Sequence, residues 1–160
     1  MSGIQIEGDV SKLRKQMEKL SNIDTDGINA AMAEAIRSST VERFSTEKAP
    51  DGFKWQPSKR AQQQGGRTLV DTARLRNSIR SKSNSEGFAV GTNVVYAATH
   101  QFGDSRTIRA KSKKLLHFTV NGNHIRKKQV HVTIPPRPFL GVNEKDIQEL
   151  TEIIEDAIKV

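Results

Sequence analysis

A chain of 160 residues has room for one domain with its own hydrophobic core, and we expect a single domain over residues 1–160. Only 34% of the residues are hydrophobic and 5% are aromatic, which predicts a modest core and a large exposed or interfacial surface. The absence of cysteine excludes disulfides and cysteine metal sites, and the lack of a signal-peptide pattern and of a long apolar run argues against export and membrane spanning.

The net charge of +8 is unevenly distributed along the chain. Residues 54–82 hold eight basic groups and one acid, and residues 103–132 hold the same numbers, so each segment carries +7. From residue 141 onward six acids stand against two lysines, which gives −4. Such segregation allows copies of the chain to attract one another head to tail, or allows one face to meet nucleic acid. Composition leaves both options open.

The first fifty residues predict a strand and two helices. Alternating apolar and polar residues over 1–8 indicate the strand. A one-faced helix follows, whose apolar stripe is Val10, Leu13, Met17 and Leu20. A longer helix, capped by Thr25 or Asp26, is expected to run to about Glu47, with its apolar stripe at Ile28, Met32, Ile36 and Phe44.

Residues 49–68 contain two prolines, three glycines and a polar run, and therefore predict a long loop. Phe53 and Trp55 argue that this loop docks somewhere, because a pair of aromatic side chains has a large area to bury. They pack either on their own subunit or against a partner subunit, and the second option makes them candidate interface residues.

A short helix is expected next, capped by Asp71 or Thr72, with Leu75 and Ile79 four residues apart on one face. Residues 81–87 are predicted to form a polar turn, and residues 88–90 a strand. After the break at Gly91, a helical turn brings together three aromatic or imidazole side chains, and Gly103 ends it. These three side chains are Tyr96, His100 and Phe102.

Residues 115–133 predict a β-hairpin, because Asn121-Gly122 favours a two-residue type I′ turn. That register places Phe118 opposite Ile125, with one face apolar and the other basic. The preceding residues 104–114 are polar and basic, and we expect them to be mobile until the protein assembles. Residues 104–133 together form the predicted basic arm.

The end of the chain predicts an acidic amphipathic helix capped by Asn143. Its apolar stripe, expected to face the core, is Ile147, Leu150, Ile154 and Ile158. Helices at both ends and strands between them indicate an α+β fold: an antiparallel sheet with a long basic β-hairpin, helices packed on one face, and amphipathic helices at the N- and C-termini.

No pattern of catalytic residues stands out. The histidines at 117, 124 and 131 lack nearby carboxylates, and His100 has no nucleophile motif around it, so we expect no catalysis, no metal and no cofactor. His100 is more typical of a buried hydrogen-bonding residue. We likewise expect no small-molecule substrate.

Three segments carry a resemblance to a known family: LVDTARLRNSI (residues 69–79), VGTNVVYAATHQFG (residues 90–103) and IPPRPFLG (residues 134–141). In this order, with a basic hairpin and an acidic helix, they resemble the phage virion morphogenesis family, the tail completion proteins of Mu-like phages and prophages. The chain departs from the family at Ala73, where glycine is usual. The motif residues are Thr72, Leu75, Ile79, Gly91, Tyr96, His100, Gln101, Phe102, Gly103, Pro136, Arg137, Pro138, Phe139, Leu140 and Gly141. We expect Tyr96, His100 and Phe102 to hold the central motif on the IPPRPFLG segment.

The resemblance implies a structural subunit that completes the tail and joins it to the head or neck. It implies a homo-oligomeric ring, with a hexamer favoured, that contacts the tail tube and neck or connector proteins and resides in the virion after assembly in the host cytoplasm. Candidate subunit-interface residues are Phe53, Trp55, Glu149, Glu152, Glu155 and Asp156. The alternative function is nucleic-acid binding, for example to DNA in the neck channel. Its candidate contacts are Arg106, Arg109, Lys111, Lys113, Lys114, Arg126, Lys127 and Lys128.

Overall fold

The computed structural model describes residues 11, 12, 14, 15, 18, 23–111, 114–120 and 122–159. The predicted strand at residues 1–8 lies outside them, as does the apolar stripe of the first predicted helix, whose five described residues are helical. From residue 23 onward the elements are, in chain order, α1 (Thr25–Thr46), α2 (Lys59–Gln64), α3 (Arg74–Asn77), β1 (Arg80–Asn84), β2 (Gly87–Gly91), α4 (Ala97–Phe102), β3 (Asp104–Arg109), β4 (Leu116–Val120), β5 (Asn123–Lys127), β6 (Gln129–Ile134) and α5 (Glu144–Lys159).

The mixture of helices with antiparallel strands confirms the α+β class. The strands form three separate two-stranded antiparallel ladders, β1–β2, β3–β6 and β4–β5, instead of one continuous sheet. Helix α1 packs on the β1–β2 ladder and on α5. The first ladder and the terminal helix therefore share one central helix, while the other two ladders extend away from it.

Helix α1 has the length that its sequence predicts, but its cap is one residue earlier than expected. The Asp24 carboxylate accepts a hydrogen bond from the Gly27 amide at 3.0 Å and so caps the first turn. The helix ends where Glu47 adopts a left-handed conformation with φ 55°. Its buried stripe is Ala33, Ile36, Thr40, Arg43 and Phe44, and Ile28 and Met32 are half-buried.

The prediction of a polar turn at residues 81–87 was wrong, because β1 occupies most of this segment. Its register with β2 runs from the pair Arg80 and Gly91 to the pair Asn84 and Gly87. The turn shrinks to two residues because the Asn84 side chain accepts hydrogen bonds from the amides of Glu86 and Gly87. Backbone pairing with β2 compensates for the absence of apolar side chains in β1.

Residues 49–68 also contain more structure than a loop. Lys48 pairs with Lys54 in an isolated antiparallel bridge, and Ser58 caps α2 by accepting a hydrogen bond from the Ala61 amide at 3.2 Å. The Trp55 ring is 5% exposed and its Nε1 donates to the Pro138 carbonyl at 2.9 Å. Trp55 therefore anchors the segment in the core of its own subunit.

Three aromatic rings form the centre of the core. The Phe44 ring lies edge-on to the Trp55 ring with centroids 5.6 Å apart, and 5.4 Å from the Phe139 ring. Leu75, Ile79, Ala97 and Ala49 complete the buried cluster. Each aromatic side chain comes from a different segment, so this contact joins α1, the 49–68 segment and the proline-rich segment.

Helix α3 begins without the predicted side-chain cap from Asp71 or Thr72. Its N-cap is Ala73, which has φ 58° and makes no side-chain hydrogen bond. Ala73 thus adopts a left-handed conformation although it is not glycine, which costs about 1 kcal/mol. Leu75 and Ile79 are buried as predicted.

The hairpin is longer than the sequence predicts. Its distal ladder, β4–β5, has the expected register, with Phe118 opposite Ile125. Strand β6 then returns to pair with β3, and the two ladders β3–β6 and β4–β5 are here together called the arm. Residues 104–109 form β3, whose backbone pairs with β6, and the mobility expected for residues 104–114 before assembly stays a prediction.

Helix α5 has the predicted cap but not the predicted burial. The Asn143 side chain accepts from the Asp146 amide at 2.8 Å, and the Asp146 carboxylate accepts from the Asn143 amide at 2.9 Å. The isoleucine stripe does not face the core: Ile147, Ile154 and Ile158 are 56%, 40% and 50% exposed. The helix instead turns Asp146 and the half-buried Leu150, Ile153 and Ala157 inward.

Candidate functional site

The central motif and the proline-rich segment meet through the side chain of Gln101. Its Oε1 accepts hydrogen bonds from the amides of Phe139 and Leu140, both at 3.0 Å. Its Nε2 donates to the Leu140 carbonyl at 2.9 Å. One amide side chain thus satisfies three backbone groups of a segment whose prolines prevent regular strand pairing.

Gly103 allows the two segments to approach this closely. Its φ is 77°, and a Cβ there would lie 3.0 Å from the Ile134 carbonyl oxygen and from the nitrogen and Cδ of Pro136. Nearby, the Arg137 amide donates to the His100 carbonyl at 2.7 Å. A side chain at residue 103 would force the strands and the proline-rich segment apart.

Phe102 does not take part in this junction. The expectation that it holds the motif on the IPPRPFLG segment was wrong, because its side chain is 78% exposed. Helix α4 turns Gln101 toward the proline-rich segment, and its neighbour in sequence consequently points elsewhere. Phe102 is therefore an apolar surface group.

The imidazole of His100 lies beside Tyr96, with the ring centroids 5.9 Å apart and nearly perpendicular. Burial lowers the pKa of His100, and the positive charge of Arg137 lowers it further. The ring atom Nδ1 is buried and has no hydrogen-bond partner within the described part of the chain. The hydrogen bond between His100 and the proline-rich segment is made by the main-chain carbonyl of His100, which accepts from the Arg137 amide, and not by the imidazole ring.

A small pocket of about 300 Å³ borders this histidine. It is lined by Tyr96, His100 and the Arg60–Asp71 ion pair, whose closest atoms are 3.7 Å apart. Among the described residues, no group of three or more histidine and carboxylate side chains is placed to hold a metal ion. On the arm, His124 contacts Thr119, and His131 contacts Ser105 and Thr107.

A buried ion pair that the sequence analysis missed fixes the other side of the proline-rich segment. Arg43 Nη2 lies 2.5 Å from Asp146 Oδ2, and Arg43 Nη1 donates to the carbonyls of Phe139 and Gly141 at 3.0 and 2.8 Å. Ser39 donates to the other carboxylate oxygen at 2.5 Å. A cation within the buried stripe of α1 was the signal in the sequence that could have revealed this pair.

Gly141 and Arg137 complete the seating of the proline-rich segment. A Cβ on Gly141 would lie 2.7 Å from Pro50 Cγ. The buried Arg137 donates from Nε to the Gln56 carbonyl at 2.6 Å. These contacts therefore hold the proline-rich segment on the rest of the subunit.

The candidate interface residues separate into two groups. Trp55 is buried in its own subunit, so its candidacy as a contact for a partner was wrong, whereas Phe53 is 75% exposed. The acidic candidates are exposed along α5; they are Glu149, Glu152, Glu155 and Asp156.

The candidate DNA contacts lie along the arm and are exposed wherever the structure describes them. Arg106 pairs with Asp104 at 3.2 Å and Arg109 contacts Gln129 at 3.3 Å, while Lys113 lies outside the described residues. The arm has no buried residue among those described, from β3 to β6. Its remaining basic positions are Lys111, Lys114, Arg126, Lys127 and Lys128.

A second basic surface lies at the β1–β2 ladder. A cleft of about 720 Å³ is lined by Arg74, Arg80 and Lys82 together with Asn77 and Asn93. These cations belong to the first basic segment: Arg80 and Lys82 lie two residues apart on β1, and Arg74 lies on α3. The polar strand that the sequence analysis missed is what builds this cleft.

Comparison with known proteins places these features in a family. The phage virion morphogenesis family matches residues 5–159. The tail completion protein S of Escherichia phage P2 is 27% identical over 152 residues, 89% of this chain and 90% of that protein. The Mu-like prophage FluMu G protein 2 of Haemophilus influenzae is 36% identical over 91 residues, 57% of this chain and about half, 51%, of that protein. No solved structure matches the chain.

The chain therefore belongs to the phage virion morphogenesis family. Among the described residues, no helix is both long enough and apolar enough to cross a membrane.

Proposed function

We propose that the protein is a non-enzymatic tail completion subunit that forms a homo-oligomeric ring and joins the phage tail to the head or neck. The similarity to the P2 tail completion protein over 89% of the chain supports the tail assignment. The ring and its six-fold order are what the family resemblance implies. Its partners are other copies of itself, the tail tube and the neck or connector proteins, within the virion.

The arm is the observation that supports this proposal most strongly. Its two ladders run from residue 104 to residue 134, and none of its described residues is buried within the subunit. A two-stranded ribbon in isolation is only marginally stable in water. An element of this kind is typical of a protein that completes its packing in an assembly.

Native mass spectrometry of the purified protein tests the proposal. A subunit of 17.8 kDa is expected to give a species whose mass is a fixed small multiple of that value. The same mass should be observed when the protein is diluted, because the heterologous contacts of a closed ring hold every subunit. A monomer at every concentration would contradict the ring.

Contact with DNA is a second candidate function, supported by the two basic surfaces. The arm segment 103–132 carries +7, and the cleft at β1–β2 gathers three further cations. Both surfaces would present cations to phosphates without reading bases. DNA contact is compatible with the ring, because DNA passes through a neck.

The salt dependence of DNA binding tests this second candidate. A protein whose cations contact phosphates loses affinity steeply as salt rises, with a slope set by the number of contacts. Arg106→Gln with Arg109→Gln should reduce that slope if the arm is responsible. Arg74→Gln with Arg80→Gln should reduce it if the cleft is responsible. An unchanged slope in both variants would remove DNA contact by these surfaces.

A further inference from the structure

Helix α5 carries an apolar stripe that its own subunit leaves exposed. Ile147, Ile154 and Ile158 recur at seven and four residues, which puts them on one side of the helix. Leu150, Ile153 and Ala157 lie on the adjacent side, where the helix packs on α1. The exposed stripe extends about 16 Å along the axis, from eleven residues at about 1.5 Å each.

Carboxylates border this stripe on its solvent side. At about 100° per residue, Glu144 and Glu155 follow the isoleucines around the helix, and Glu152 comes after Lys159, whose Nζ lies 3.4 Å from Glu155, so the net charge of this border is negative. Each of these side chains is exposed. The surface is thus a narrow apolar strip with a negative border.

The distal ladder of the arm has the complementary composition. The β4–β5 register places Leu116, Phe118, Val120 and Ile125 on one face. None of these four side chains is buried, and no helix of the described chain covers the face. Asn123 and Lys127 share this face, opposite Val120 and Leu116, so the face carries a positive charge at its proximal end. Five strand residues are separated by four intervals of about 3.4 Å, which gives an apolar face about 14 Å long.

We propose that the apolar face of the β4–β5 ladder in one subunit packs on the isoleucine stripe of α5 in the next copy of the chain. The two surfaces are similar in length and in apolar character, and their charges have opposite signs. The contact joins two different surfaces of the same chain, so it is heterologous and closes into a ring when its rotation permits. This inference rests on the proposed ring and specifies the contact that builds it.

Exposed isoleucines provide the affinity in this arrangement, and charge provides the register. Exposed ion pairs change an equilibrium constant by no more than about fivefold each, whereas burying apolar side chains at the centre of a contact contributes more. The apolar substitutions should therefore have the larger effect, and the charge substitutions should matter mainly at low salt.

Intermolecular cross-linking tests the contact directly, because the chain has no cysteine of its own. Protein carrying only Ile154→Cys is mixed with protein carrying only Phe118→Cys and treated with a short bis-maleimide linker. A covalent dimer is expected. The matched control pair is Glu149→Cys, on the far side of α5, and His117→Cys, on the polar face of the arm. This pair should cross-link at least about tenfold less, because the distance between the two thiols is too long for the linker.

The mass of the assembly distinguishes failure of this contact from failure of the ring. A ring mass without the Ile154–Phe118 cross-link would overturn the contact and leave the proposed function in place. A monomeric protein without the cross-link would overturn both. Cross-linking at the control pair as strong as at the test pair would show that the copies meet on another surface, and would also overturn the contact.

Substitution of the apolar residues provides the second measurement. Ile154→Ser with Ile158→Ser should weaken association at least about tenfold while the subunit stays folded, because both side chains are exposed. Glu149→Gln, an exposed change on the far side of the same helix, is the control. Association equal to that of the parent protein would overturn the inference.

Discussion

Arg43 and Asp146 form a buried ion pair that joins the central helix to the first turn of the terminal helix, with 2.5 Å between Nη2 and Oδ2. The guanidinium also binds the carbonyls of Phe139 and Gly141, and the carboxylate also accepts from Ser39 and Asn143. Both charged groups are thus surrounded by hydrogen-bond partners. The pair positions α5 so that its isoleucine stripe faces outward.

Removing one member of this pair should destabilise the subunit strongly. Asp146→Leu leaves a buried guanidinium without its counter-charge, Arg43→Met leaves a buried carboxylate without its own, and each should lower the free energy of unfolding by about 3–5 kcal/mol. Arg43→Met with Asp146→Leu should cost less than the sum of the single changes, because neither charge is then left alone. Urea unfolding measures all three.

The control for the ion pair is Glu34→Gln, which removes an exposed partner of Arg37 on the same helix. That change should shift the urea midpoint little, since surface pairs contribute little to stability. Strict additivity of the Arg43 and Asp146 substitutions would contradict the coupling.

Gln101 and Phe102 should differ sharply in their effect on stability although they are neighbours. Gln101→Ala leaves three backbone groups of the proline-rich segment without their partner, at about 1–3 kcal/mol for a buried unsatisfied group. Phe102→Ala removes a side chain that is mostly exposed and should change the urea midpoint by less than about 0.5 kcal/mol. A larger effect at Phe102 than at Gln101 would contradict the observed junction.

Gly103 should tolerate alanine less well than Gly52. Both have positive φ, 77° and 85°, but a Cβ at residue 103 meets Ile134 and Pro136 at 3.0 Å, whereas nothing lies within 4 Å at residue 52. The difference between Gly103→Ala and Gly52→Ala in thermal unfolding therefore isolates the steric contact from the backbone strain. We expect Gly103→Ala to lower the midpoint further, and equal midpoints would show that the two segments can move apart without cost.

The stability of the subunit should fall on mild acidification because of His100. Its pKa is lowered in the folded protein, so below about pH 6.5, the ordinary value in the unfolded chain, the unfolded state binds more protons. Stability is then lost as the pH falls, until the folded-state pKa is reached. Chemical unfolding at a series of pH values should show this slope.

His100→Gln should flatten that slope, since the substituted side chain does not titrate. His124→Gln, on the exposed polar face of the arm, is the control. A slope that persists unchanged in His100→Gln would assign the acid sensitivity to other groups.

Local patterns in the sequence predicted those elements whose signals lie close together in the chain. The extent of α1, the Asn143 cap and the pairing of Phe118 with Ile125 all follow from caps, periodicity and turn residues. Contacts between distant segments gave no such signal. Arg43 reaches Asp146 across 103 positions and Gln101 reaches Leu140 across 39, so neither pairing could be predicted from spacing.

The failures at β1 and α5 have physical reasons. Every residue of β1 is polar, and this composition indicated a turn. The strand forms because its backbone pairs with β2. The stripe of α5 shows the periodicity of a buried face, but periodicity does not say whether that face meets its own core or another molecule. Only the structure shows that the stripe is exposed.

The mass of the intact protein compared with that of a variant with a shortened arm tests the assembly account most directly. Residues 110–128 are replaced by a short glycine-serine turn, which keeps the β3–β6 ladder and removes β4 and β5. The account predicts a ring mass for the intact chain and a folded monomer for the variant. A ring of unchanged order in the shortened variant would contradict it.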